Sequence, residues 1–181
     1  MSVIDSRVVL APDDGTLGPL LRISDDRLPP GVGYGQHEHR DVDVVAVVLA
    51  GDLTHRWAEG ATMTAGDVAV LRAGHGLVHD EVAGDDGARV LQCYLRSADP
   101  GAPTSHRVHR GAGGWLELSR ADARLWVARA DPGVPVEPPP GVALLAGPAG
   151  VGRPDAGPVV VAEASLLVVW QVDAQRPAWA R

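Results

Sequence analysis

Short β-prone segments cut by turn clusters at near-regular intervals are the feature that most restricts what this chain can fold into. The segments are Leu20 to Ile23, Val42 to Leu49, Leu53 to Trp57, Val68 to Leu71, Gly76 to Val82 and Val90 to Leu95. Ala50-Gly51-Asp52, Ala65-Gly66-Asp67 and Gly84-Asp85-Asp86-Gly87 stand between them. Branched apolar residues suit a pleated, half-buried surface, whereas Gly and Asp supply the backbone angles of turns. The pattern predicts an all-β fold, an antiparallel sandwich or barrel. A load of 22 glycines and 15 prolines in 181 residues agrees with it, and 45% hydrophobic content is enough for a proper core.

The stretch Ser97 to Gly114, with Pro100-Gly101, Pro103 and Gly111-Ala112-Gly113-Gly114, reads as a connection. It divides the chain into a first unit at 1–96, a linker at 97–114 and a second unit at 115–181. In the second unit, strands are expected at Trp115 to Leu118, Arg124 to Ala130, Val142 to Ala146 and Val159 to Trp170, with a proline-rich loop over Pro135 to Pro140. Ala121 to Val127 is open to a helical turn instead.

A net charge of −7 excludes the basic patch that a nucleic-acid or anionic-membrane surface needs, so a small molecule or another protein is the expected partner. Cys93 is the only cysteine, which rules out an intramolecular disulfide and a cysteine-rich zinc module. Any bound metal must rest on His and carboxylate. The N-terminal residues develop no signal-peptide core, and Val159 to Val172 is too short and too polar to span a bilayer, so a cytoplasmic location is expected.

Five of the seven histidines fall between His37 and His79. His37-Glu38-His39 places two imidazoles on one face of a strand roughly 6.5–7 Å apart, close enough to converge on one ion. His79-Asp80-Glu81 repeats that spacing with a histidine and a carboxylate. The turns at Gly51 and Gly66 can bring the second pair back beside the first, so His37, His39, His79 and Glu81 are the candidate ligands. Solvated polar turns are the competing reading for each pair taken alone.

Leu21-Arg22-Ile23-Ser24-Asp25-Asp26-Arg27-Leu28-Pro29-Pro30-Gly31, followed by His37-Glu38-His39-Arg40-Asp41, resembles the opening of the pirin family of bicupins. The likeness continues through Leu49 to Arg56, Ala65-Gly66-Asp67-Val68 and Ala73 to Glu81, ending near Gln92. The resemblance implies a full N-terminal cupin and a reduced C-terminal cupin-like unit that covers the first and offers a surface for a homodimer. It also implies one divalent transition metal ion per chain on His37, His39, His79 and Glu81, iron first, with Ni, Mn, Cu or Zn also accommodated.

Some departures from the family bear on the site. Asp43 stands where the family has a glutamate, four residues after the second histidine. It shares strand parity with His39 and reads as a weaker ligand than Glu81, better suited to orienting a histidine or to standing in solvent. His75, between two glycines, reads as a solvated loop histidine, with a proton carrier at the pocket mouth as the alternative. His55, which the family shares, reads as a hydrogen-bonding residue. His106 and His109 are assigned to the connection, at a spacing unsuited to one strand face. Some bacterial members open flavonols with O2, which implies an aromatic substrate here and a catalytic role for Glu81 as proton acceptor. A non-catalytic regulatory protein acting through a protein partner is the alternative, and a sugar-binding or isomerase cupin comes third.

Overall fold

The computed structural model describes residues 3–12, 16–58 and 60–173, and every regular element among them is a strand. In spatial order the first sheet runs β1 (Asp5–Leu10), β2 (Leu20–Leu28), β7 (Leu77–Arg96), β4 (Val42–Arg56), β6 (Val68–Arg72) and β8 (Ser105–His109). The short β3 (His37–His39) pairs with β7, and β5 (Ala61–Thr64) pairs with β4. A second sheet runs β12 (Gly150–Gly152), β11 (Val142–Gly147), β13 (Ser165–Val172), β10 (Ala123–Ala130) and β9 (Gly114–Leu116). Its strand pairs, like those of the first sheet, are antiparallel.

Two of the expected turns lie inside strands. Ala50-Gly51-Asp52 does not separate two strands but bends one, because β4 continues to Arg56 with its register shifting on either side of Gly51. Gly84-Asp85-Asp86-Gly87 likewise sits within β7. Gly51 pairs with Ala88 and Leu53 with Ala83, so residues 84–87 bulge opposite Asp52 alone. Glycine is required at this crossing: Gly51 has φ +67°, and a Cβ there would lie 2.0 Å from the carbonyl oxygen of Gly87. The strands pass too close for a side chain between them.

These irregularities invert the face each strand presents. Ala46 and Val48 of β4 pack inside the first unit, and beyond the bulge so does Leu53. In β7, Ala83 packs inside before the bulge, and Ala88 and Val90 do so after it. The opposite faces, with Val45, Val47, Leu91, Cys93 and Leu95, join Leu125, Val127, Leu144, Val168 and Trp170 of the second sheet in one continuous core. Burial on both faces explains why Val42 to Leu49 reads as an almost unbroken apolar run rather than an alternating one.

Elsewhere, tertiary pairing decides. Residues 105–109, expected within a linker, form β8 on the edge of the first sheet against β6. Residues 121–127 form no helical turn, since Leu125 and Val127 alternate into the core as β10 pairs with β13. Of the strand expected from Val159, only Ser165–Val172 is continuous; Val159 and Val161 make isolated bridges to Val136 and Pro132. Proline has no N–H to extend a ladder on that side.

Candidate metal centre

The register of β3 on β7 sets His37 directly opposite His79 and His39 opposite Leu77. Across the other edge of β7, His55 of β4 stands opposite Glu81. The period of two along β7 turns His79 and Glu81 to the same interior as Leu53 and His55. All of His55, His79 and Glu81 are buried, while His37 and His39 are partly exposed, so the cluster has one open side.

His37, His39 and His79 each offer a ring nitrogen, and these donor atoms lie within 4.8 Å of one another. His37 Nδ1 is 2.8 Å from the carbonyl oxygen of Gly35, which can only accept, so that nitrogen carries the proton and Nε2 presents its lone pair. The Nε2 atoms of His37 and His39 stand 3.0 Å apart. His79 is 1% exposed, and neither of its ring nitrogens has a hydrogen-bond partner among the described residues. A buried, unsatisfied imidazole costs on the order of 1–3 kcal/mol. Three imidazoles converging around such an orphan suit a cation that accepts their lone pairs, so the residues present fit a bound metal ion.

Electrostatics favour the same use. Burial, opposed by Glu81 and reinforced by the neighbouring histidines, lowers His79 to about 4. Burial also lowers His39, with His37 adding to the effect. Both rings are therefore neutral, as a ligand must be, at neutral pH. Burial alone would raise the Glu81 carboxyl, but His55, His79 and Gln92 together hold it below the usual carboxylate range.

Glu81 lies beside the three histidines rather than among their converging donors. One carboxylate oxygen contacts His55 Nε2, and the other accepts a 2.6 Å hydrogen bond from Gln92 Nε2. His55 Nδ1 lies 2.9 Å from His106 Nε2. A line of polar contacts thus runs Gln92, Glu81, His55, His106 from the interior to a half-buried residue on β8. Burial, aided by His55, lowers His106 to about 4.

Asp43 is elsewhere. It was expected on the parity of His39, but Asp41 adopts φ +58° between β3 and β4 and breaks the alternation. Asp43 consequently turns to the connection between β9 and β10, where Arg120 Nη1 donates to it at 2.7 Å, with both side chains buried. It neither reaches the histidines nor stands in solvent. His75 is exposed, in keeping with a loop residue, and its carbonyl accepts from Arg40 Nη1 at 2.5 Å. A cavity of about 670 Å3 lies in the cleft between the sheets near Leu49, Arg89, Ala146 and Leu166, and none of the four candidate ligands lines it.

Comparison with protein families matches residues 12–95 to Pirin. A Zymomonas mobilis protein with the provisional name quercetin 2,3-dioxygenase is 40% identical over 72 residues, covering 39% of this chain and 31% of that protein. Pirin-like protein 2 of Arabidopsis thaliana is 33% identical over 81 residues, covering 44% of this chain and 25% of the relative. Among solved structures, the bacterial pirin YhhW of Escherichia coli in complex with nickel(II) superposes over 94% of this chain and 92% of its own, with a TM-score of 0.64 at 17% identity. A quercetin 2,3-dioxygenase of Acinetobacter baumannii covers 93% of this chain and 80% of its own, with a TM-score of 0.66 at 16% identity. Residues 12–95 are pirin-like, and the fold of the chain is that of the solved pirin structures.

Matches to the curated relatives span about a quarter to two fifths of those proteins, so the kinship rests on the unit that holds the histidines. Within the matched segment, sequence reasoning overlooked Gln92 as a site residue. A signal was available: Gln92 is a lone amide in the apolar run Val90 to Leu95, and a polar residue there must have a buried partner. His106 gave no comparable signal, because only the return of β8 along β6 brings it to His55. Tyr34, whose hydroxyl donates to Asp26 at 2.7 Å, and Tyr94 flank His37 and His39 with ring centroids 6.2 and 5.8 Å away.

Proposed function

We propose that this protein binds one divalent transition metal ion per chain through His37, His39, His79 and Glu81 and uses it as a dioxygenase on an enolisable aromatic of flavonol type. The observation that carries the metal reading is His79, buried with no hydrogen-bond partner among the described residues and facing two imidazoles whose nitrogens converge with its own. Nitrogen and oxygen donors accept Fe, Ni, Mn, Cu and Zn alike; iron is the first choice for chemistry with O2. The names carried by the Zymomonas and Acinetobacter proteins support the aromatic substrate. We assign the chemistry to residues 1–96, with 115–181 as a reduced cupin-like unit that covers the apolar back of the first sheet.

A bound metal would supply Lewis acidity, lowering the pKa of a substrate hydroxyl. The chain's own groups do the rest. Glu81 is held ionised inside the site and is the group available to accept the substrate proton, while Gln92 and His55 fix its two oxygens. Tyr34 and Tyr94 give the open side an aromatic lining against which a planar ring can pack.

Elemental analysis of freshly purified protein, followed by oxygen-uptake assays on a panel of flavonols and enolisable phenols, tests this reading. One metal equivalent per chain and metal-dependent O2 consumption are expected. Full metal loading with no turnover across the panel would refute the dioxygenase and leave a metal-dependent binding protein.

A further inference from the structure

We propose that His106, which lies beyond the pirin-matched segment, is a positioning residue for the metal centre: through His55 it fixes the carboxylate of Glu81. The proposal rests on the reading of His37, His39, His79 and Glu81 as a metal site.

An ionised carboxylate can only accept hydrogen bonds, so the His55 nitrogen that contacts Glu81, Nε2, must carry a proton. A neutral imidazole has one N–H, which leaves His55 Nδ1 as an acceptor. His55 is 2% exposed, and the group beside that nitrogen is His106 Nε2 at 2.9 Å, with the ring centroids 4.8 Å apart. His106 Nε2–H is therefore the donor that satisfies His55 Nδ1 and selects the tautomer whose other edge donates to Glu81. Without that donor the buried Nδ1 loses its partner, and nothing holds the proton of His55 on the edge that faces the carboxylate.

The backbone makes His106 a fixed support rather than a chance neighbour. It lies within β8, paired with Leu71 of β6, between the partners Arg107↔Val70 and Ser105↔Arg72. Glu81 is anchored from one side by Gln92, on its own strand, and from the other by His55, whose orientation depends on a residue 51 positions away. The segment that follows the family match thus completes the support of the site it encloses.

The test is Co(II) binding to the full chain, read both as affinity and as the visible absorption of the bound ion, which reports its coordination. His106→Leu, which keeps bulk but has no donor, is expected to weaken Co(II) binding roughly 10–100-fold and to alter the absorption bands. His106→Gln, whose amide can donate, is expected to restore most of both. A merely structural role would lower thermal stability in both variants and leave the bands unchanged. Wild-type affinity and spectrum in folded His106→Leu, or equal losses in the Leu and Gln variants, would overturn the proposal. If the Leu variant does not fold, His106→Ala takes its place. His37→Ala separates the two readings: loss of binding there with none in His106→Leu refutes only the positioning role, whereas no Co(II) binding by the wild type refutes the metal site itself.

Discussion

Removing Arg120 should unfold this protein at a markedly lower temperature without touching its metal content. The Arg120 side chain is 2% exposed, and Asp43, its partner from the first unit, is 4% exposed. Its guanidinium also donates to Asp122 through Nε at 2.6 Å and Nη2 at 2.9 Å, and Nη2 reaches the Arg96 carbonyl at 2.9 Å. Burial already raises the Asp43 carboxyl, with Arg120 the largest opposing influence. Arg120→Met leaves that carboxylate buried without its cation, a change that costs about 3–5 kcal/mol. For a chain of this size, each kcal/mol shifts Tm by roughly 2–4 °C, so a drop of roughly 6–20 °C is expected. The deficit should shrink in acid. A raised carboxyl takes up its proton in the folded state at a pH where the unfolded chain does not, so lowering the pH relieves the unpaired charge. Asp43→Leu combined with Arg120→Met should recover most of the loss, since replacing both partners removes the orphan. Calorimetry on chelator-stripped protein measures the shift, and elemental analysis measures the metal. A shift under about 3 °C, or loss of metal in the single variant, would sink the reasoning, the second by returning Asp43 to the site.

His37→Ala and His79→Ala should each abolish stoichiometric metal while preserving the β-sheet circular dichroism, because apolar packing between the sheets holds the fold; insoluble protein in both would make the ion structural. Glu81→Gln should weaken metal binding or change its coordination, while Asp43→Asn should leave the bound-metal spectrum unaltered; the reverse result would exchange their roles. Metal-free protein should lose stability as pH falls from 6.5 to about 4. The unfolded chain takes up a proton on His79 in that window and the folded chain does not, a contribution on the order of 3 kcal/mol by pH 4. Urea titrations at several pH values should show a shallower fall in His79→Asn, and equal slopes would refute the assignment.

Much of the centre was legible in the sequence because its information is local. A spacing of two along an extended strand sends both side chains to one side whatever the rest of the chain does, so the shared faces of His37 with His39 and of His79 with Glu81 could be read before any fold was known. The Gly- and Asp-rich interruptions between apolar runs likewise fixed the all-β class, since each segment is too short to bury its surface as a helix. What needed the tertiary structure was parity carried across an irregularity. Counting by twos put Asp43 on the face of His39, but the left-handed backbone at Asp41 turns it toward Arg120, in the connection between β9 and β10. Counting also made Ala50-Gly51-Asp52 and Gly84 to Gly87 into turns, whereas the close approach of Gly51 to Gly87 makes them bulges within two long strands. Those bulges bring His55 and Glu81 to the same interior as Gln92. The meeting of His55 with His106 is further still from local control, because strand pairing across 51 residues sets it and no sequence period records it.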